Sequence, residues 1–212
     1  MRLEFIAALY NEEHEIADLI AHVAPYVASM NFCDDGSTDQ TVSILREYQR
    51  IYPIQYKYIA HTGLPETVKN EALSLVSDGS WVLMLDADER FAPGVLDEVE
   101  AFLELEGEQY DYVYFRQVEY LDGRPTREFQ KCKLFKKEAI TFPLRDIHAD
   151  DQFVGRGTSV SWRVDHRKTT SKQVERETEY LRTYRKLLLD GHIDQGRYEW
   201  LSNLHYFVKP KG

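Results

Sequence analysis

The sequence predicts an α/β fold: a doubly wound, mostly parallel sheet with an antiparallel extension and a C-terminal helical tail. Three observations lead there. From Leu3 to Leu103, apolar strand-like runs alternate with amphipathic stretches, the order that lays parallel strands side by side under helices on both faces. From Tyr110 to Phe135 the chain is rich in aromatic and β-branched residues around Asp122-Gly123, which reads as a hairpin that extends the sheet. From Ser171 onward, apolar residues recur at helical spacing.

Leu3 to Leu9 is the first buried strand. Tyr10-Asn11-Glu12-Glu13 ends it, with Asn11 as a cap for the next helix. Ile16, Leu19, Ile20, Val23 and Val27 give that helix one apolar stripe. Met30 to Cys33 is a short second strand. It runs into the polar turn Asp34-Asp35-Gly36-Ser37-Thr38-Asp39-Gln40-Thr41 and a helix with Val42, Leu45 and Tyr48 inward. Alternation from Ile54 to Ala60 marks a third strand. Pro65 suits the first turn of a helix whose apolar face is Val68, Ala72, Leu75 and Val76. Trp81 to Arg90 reads as a strand buried on both faces. Pro93-Gly94 then opens a helix striped by Val95, Leu96, Val99, Phe102 and Leu103. Beyond the hairpin, Thr141 to Trp162 reads as an irregular segment carrying Asp146, His148, Asp150 and Asp151. Long irregular segments in compact domains are commonly functional. A helix from Ser171 to about Asp190 stops at Gly191, and a last one holds Tyr198, Leu201, Leu204 and Phe207. The expected organisation is one domain over residues 1–168, with a helical extension over 169–212 packed on it.

The chemistry concentrates where the fourth strand ends, at Asp86-Ala87-Asp88-Glu89. Side chains alternate along a strand, so Asp86 and Asp88 face the same way. Two carboxylates about 4 Å apart repel by ~1 kcal/mol in water and ~4 kcal/mol at an effective dielectric of about 20. A hard divalent cation, Mg²⁺ or Mn²⁺, relieves that repulsion. The competing reading is a solvated acidic turn. In doubly wound sheets, however, ligands bind beyond the carboxyl ends of the strands, and both Asp34-Asp35 and Asp86-Asp88 fall there.

Composition narrows the options. At 212 residues with 43% hydrophobic and 29% charged residues, the chain suits one well-buried soluble domain. A formal net charge of −10 disfavours nucleic acid as a partner without excluding it. Lys131, Lys133, Lys136 and Lys137 leave room for a local basic patch. There is no apolar run of membrane-spanning length and no signal-peptide pattern at Met1 to Phe5. Cys33 and Cys132 fit no metal spacing and read as free buried thiols. The expected location is the cytoplasm, including a peripheral position at the inner membrane surface.

Three segments together carry a resemblance: Ala8-Leu9-Tyr10-Asn11-Glu12-Glu13, Asp34 to Thr41, and Leu85-Asp86-Ala87-Asp88-Glu89. Their order and spacing resemble the family 2 glycosyltransferases, whose fold is the Rossmann-like GT-A fold. Lys69-Asn70, Leu134-Phe135-Lys136, Ile147-His148 and Asp165-His166 match further positions. The resemblance implies sugar transfer from a nucleotide-diphosphate donor, most commonly a UDP-sugar, with a divalent metal. It implies a metal on Asp88, with Asp86 near the donor ribose or the metal. It places Asp35 at the nucleobase and Ala8, Tyr10, Asn11 and Glu12 along the nucleotide pocket. It also places Lys69 at the donor, against the competing reading of a solvated helix lysine. Asp34 and Asp39 are read equally well as turn and cap residues.

An inverting reaction needs a base to take the acceptor proton. The resembled pattern puts Glu directly after the His of the Ile-His pair, where this chain has Ala149 followed by Asp150 and Asp151. Asp150 is the first choice of base and Asp151 the second. His148 is a candidate further metal ligand, or a loop histidine with a structural hydrogen bond. His166 reads as structural, although a loop closing over the site would bring it to the donor phosphates. His14, His22, His61, His192 and His205 stand in no constellation. Tyr110, Tyr112, Tyr114 and Tyr120 offer stacking faces for a sugar but suit a core better. The acceptor, whether a glycan, lipid-linked, protein or small molecule, is not legible. Two other functions compete. A nucleotidyltransferase would want a Gly-rich basic loop early in the chain, which Leu9 to Glu13 lacks. A non-catalytic nucleotide-sugar binding module draws on the missing Glu after His148.

Overall fold

The computed structural model describes residues 1–143 and 151–204. The strands are β1 (Leu3–Leu9), β2 (Ser29–Asp34), β3 (Ile54–Tyr58), β4 (Trp81–Met84), β5 (Glu89–Phe91), β6 (Tyr112–Leu121), β7 (Arg124–Lys136), β8 (Ile140–Thr141), β9 (Gln152–Phe153) and β10 (Gly157–Lys168). The helices are α1 (Ile16–Val23), α2 (Thr41–Tyr48), α3 (Pro65–Leu73), α4 (Val95–Leu105), α5 (Thr170–Leu189) and α6 (Gln195–Asn203). One large sheet runs in the order β3-β2-β1-β4-β7-β6-β10-β5, and β8 and β9 pair separately. Strands β1 to β4 are mutually parallel, as expected. The hairpin adds β7 antiparallel to β4 and β6 antiparallel to β7. The fold is thus the mostly parallel α/β sheet with an antiparallel extension that the sequence predicts.

The chain passes from β1 outward through β2 and β3, then returns to place β4 on the other side of β1. The strand order reverses between β1 and β4, and the loops leaving those two strands flank a crevice. Alternation fills both faces. Phe5, Ala7, Leu9, Leu83, Leu85 and Ala87 pack with α1, α2 and α4, whereas Ile6, Val82 and Met84 pack with α3. Apolar helix faces arise as read: Ile16, Leu19, Ile20 and Val23 are buried on α1, and Pro65 sits in the first turn of α3.

Four expectations change. The fourth strand ends at Met84, and Asp86 and Asp88 lie in a bend between β4 and β5. The bend is closed by the Glu89 N–H donating to the Asp86 carbonyl at 3.0 Å. Asn11 caps no helix. It sits at φ +54°, a left-handed conformation that Asn tolerates better than most residues, and α1 begins later, at Ile16. The segment expected to be irregular up to Trp162 is strand from Gly157, because β10 pairs with β6 and β5. The four lysines form no basic patch. Lys133 is buried against Glu89, Lys136 meets Asp111 at 2.9 Å, and Lys137 meets Asp78 at 2.6 Å. Among the described residues, no helix is long and apolar enough to cross a membrane.

Glu4, fully buried on β1, holds the end of the sheet away from the crevice. Its carboxylate accepts from Ser29 Oγ at 2.7 Å, Ser80 Oγ at 2.9 Å, Asn31 Nδ2 at 3.0 Å and the Ser77 N–H at 3.2 Å. Burial pushes the group up, but these donors outweigh it and lower its pKa to about 2. A depressed carboxyl stabilises the fold above its unfolded value and loses that contribution as pH falls through the folded value. Glu4→Gln is expected to destabilise the protein by about 3 kcal/mol at pH 7. Its deficit against wild type should shrink as pH drops from about 4.5 towards about 2; urea unfolding across that range measures both.

Candidate active site

The loops leaving β1 and β2 are clasped together. The Asn11 N–H donates to Ser37 Oγ at 2.8 Å, Thr38 N–H to Asn11 Oδ1 at 2.9 Å, and Glu12 N–H to Thr41 Oγ1 at 2.8 Å. Glu13 N–H donates to Asp39 Oδ2 at 3.0 Å, and Gln40 N–H returns a bond to Glu13 Oε2 at 2.9 Å. Asp34 accepts from the Ser37 N–H and hydroxyl. Asp34 and Asp39 therefore act as turn and clasp residues. Asp35 turns the other way. One of its oxygens accepts from the Thr62 N–H at 2.8 Å and the other from the Gly63 N–H at 3.0 Å. This fixes the loop before α3 and seats His61, which stacks on Tyr10 at 4.2 Å between ring centroids.

The clasped loops, α3 and α5 enclose a cavity of about 720 Å³, within the range of sites for drug-sized ligands. Its walls include Ala8, Tyr10, Asn11, Glu12, Asp35, His61, Lys69, Asp86 and Asp151. The predicted residues from the first half of the chain are thus brought together, and Lys69 faces this cavity with them. Asp151 joins them, its side chain 7% exposed and 3.8 Å from Lys131 Nζ. His148 and Asp150 lie outside the described residues.

Behind the cavity wall, ligand atoms of Asp86, Asp88 and His166 lie within 4.8 Å of one another. Asp88 is 2% and His166 5% exposed. His166 Nε2 and Asp88 Oδ1 face each other at 3.1 Å as a buried ion pair. Burial opposes charge on all three groups, but their neighbours win. Lys133, Lys69 and His166 lower Asp86 to about 2. His166 and Arg176 hold Asp88 well below the usual carboxylate range. Asp88, Glu119 and Glu89 raise His166 to about 9. The two-oxygen, one-nitrogen set fits a divalent cation and suits Mn²⁺ better than Mg²⁺.

α5 supplies charge that sequence reasoning missed. Arg176 Nη2 lies 3.3 Å from Asp88 Oδ2, Lys172 pairs with Glu12, and Glu179 meets His61 Nε2 at 3.1 Å. Burial of Glu12 outweighs Lys172 and raises that carboxyl to about 7. Sequence reasoning also missed His61 and the place of His166. For His166 a signal existed: Val164 and His166 alternate inward along β10. None existed for His61, whose neighbours come from distant segments.

A charged cavity at the strand-order reversal of a doubly wound sheet is where α/β enzymes bind nucleotides. The chain belongs to glycosyl transferase family 2, whose profile matches residues 5–187, and it is a glycosyltransferase. Three structures of S. aureus TarS share the fold. TarS 1-349 matches with a TM-score of 0.60 at 16% identity, covering 95% of this chain and 69% of that one. The same piece in complex with UDP-GlcNAc gives 0.62 at 16%, covering 95% and 70%. A longer TarS structure gives 0.60 at 17%, covering 95% of this chain and 42% of that one. No curated protein matches the sequence.

Gly63 sets how closely α5 approaches. It sits at φ +65°, and a Cβ there would collide with Thr183 Oγ1. Gly63→Ala is expected to cost about 2 kcal/mol through backbone strain and the clash. Adding Thr183→Ala should recover the steric part alone, so a double-mutant cycle by urea unfolding separates the two.

Proposed function

We propose that the protein transfers a sugar from a nucleotide-diphosphate donor, with a divalent cation held by Asp86, Asp88 and His166. The observation that carries this reading is the convergence of ligand atoms of Asp86, Asp88 and His166 within 4.8 Å of one another beside the cavity. A UDP-sugar is the donor of choice, in line with the UDP-GlcNAc held by TarS in one of the similar structures. The cation, when bound, neutralises the diphosphate and stabilises it as it leaves.

The chain's own residues do the rest. Lys69 from α3 and Lys172 and Arg176 from α5 bring positive charge to the diphosphate. Asp35 and the Tyr10–His61 stack form the nucleobase end. Asp151 is the described candidate for the base. In an inverting transfer it takes the proton of an acceptor hydroxyl as that oxygen bonds to the anomeric carbon and the bond to the diphosphate breaks. Asp150 and His148 retain the roles the sequence assigns them. The acceptor is a hydroxyl-bearing glycan, lipid-linked or small molecule. Two buried free thiols, Cys33 and Cys132, suit a cytoplasmic setting.

A thermal-shift series with UDP-sugars, with and without Mn²⁺, tests the core of this reading, because a ligand that binds only the folded state raises its melting point. The wild type should show a shift that needs both components. Asp88→Asn and His166→Ala should each abolish the Mn²⁺-dependent part, and intact Mn²⁺-dependent donor turnover in Asp88→Asn would refute the proposal. Lys172→Met should raise the donor KM by tenfold or more.

A further inference from the structure

Glu89 has no role in the scheme above, although it follows the carboxylate pair directly. The short strand β5 exists because it pairs with β10, and that pairing sets Glu89 in register with His166; on the other side of β10, His166 is in register with Glu119 of β6. Register partners present their side chains on the same face of a sheet. His166 is therefore flanked by a carboxylate on each side, its Nδ1 3.6 Å from Glu89 Oε1 and 3.6 Å from Glu119 Oε1, while the hydrogen bond at Nδ1 is made with the Gln117 side-chain amide at 3.0 Å. The two carboxylates differ in what they still have to offer. Glu119 Oε1 already accepts from Lys168 at 2.8 Å and Arg127 at 2.9 Å. Glu89 Oε1 is buried without a partner, and Glu89 is 0% exposed. Its other oxygen accepts from the Asp86 N–H at 2.9 Å and pairs with the buried Lys133.

We propose that Glu89, anchored by Lys133, is a positioning residue that holds Asp86 in place for the cation. This rests on the metal reading above. Since Gln117 makes the hydrogen bond at His166 Nδ1, Glu89 acts on Asp86 alone. The Glu89 carboxylate pins the backbone of Asp86 through Oε2, and the buried Lys133 fixes that carboxylate. Outer partners of this kind hold a ligand in place, and their loss typically weakens metal binding by 10–100-fold.

Glu89→Gln alone strands the Lys133 ammonium in the core and risks unfolding. The test is therefore the double variant Glu89→Leu with Lys133→Met, which replaces the ion pair by apolar groups of similar size. Titration of Mn²⁺ alone, followed by electron paramagnetic resonance, gives the dissociation constant without reference to activity. The expected result is a folded double variant with wild-type melting behaviour and a Mn²⁺ dissociation constant raised at least tenfold. Glu119→Gln should change that constant less. A folded double variant that binds Mn²⁺ as the wild type does overturns the inference and leaves the metal reading standing. Wild-type protein that fails to bind Mn²⁺ overturns both. If that double variant does not fold, Glu89→Met with Lys133→Leu, which also removes the acceptor for the Asp86 N–H, carries the same comparison.

Discussion

The balance of charge around Asp88 is the constraint on which the site depends. A buried carboxylate cannot stay ionised at a sheet crossover without cations close by. Here they come from opposite directions: His166 from β10 on one side and Arg176 from α5 on the other. Neither belongs to the strands and loops that carry the carboxylates. The first half of the chain thus supplies the acids and the second half supplies what makes them tolerable, so the two halves fold into one electrostatic unit.

That division explains what was legible. The alternation of Phe5, Ile6 and Ala7, and of Leu83, Met84 and Leu85, gave up the sheet and its two covered faces. The polar motifs after β1, β2 and β4 pointed to the crevice because strand ends in this fold class converge there. What stayed hidden is non-local. No spacing in the sequence tells that β10 inserts beside β6, or that His166 then falls opposite Glu89 and Glu119. Lys133, between Cys132 and Leu134, carries no local sign that its ammonium is buried. The bend at Asp86 and Asp88 reads as strand in the sequence because the alternation continues past Met84 through Leu85 and Ala87, although the hydrogen-bonded pairing stops at the end of β4.

Net charge proved a poor guide to the cavity. The formal value of −10 suggests a pocket that repels a diphosphate unless a metal intervenes. Yet Lys69, Lys131, Lys172, Arg176 and Arg182 all line it. Local potential in a cleft follows the groups that face it, not the sum over the chain. A metal is then one contributor among several to holding an anionic donor.

The helix that reads as a tail in sequence is a wall in space. α5 is tied at its start, where Thr170 donates to Asp122 at 3.0 Å, and it lines one side of the cavity from Lys172 to Arg182. Trimming the chain after residue 168 would therefore not yield a minimal catalytic core. It would open the crevice to bulk water, strip Glu12 of Lys172 and leave Asp88 with His166 alone.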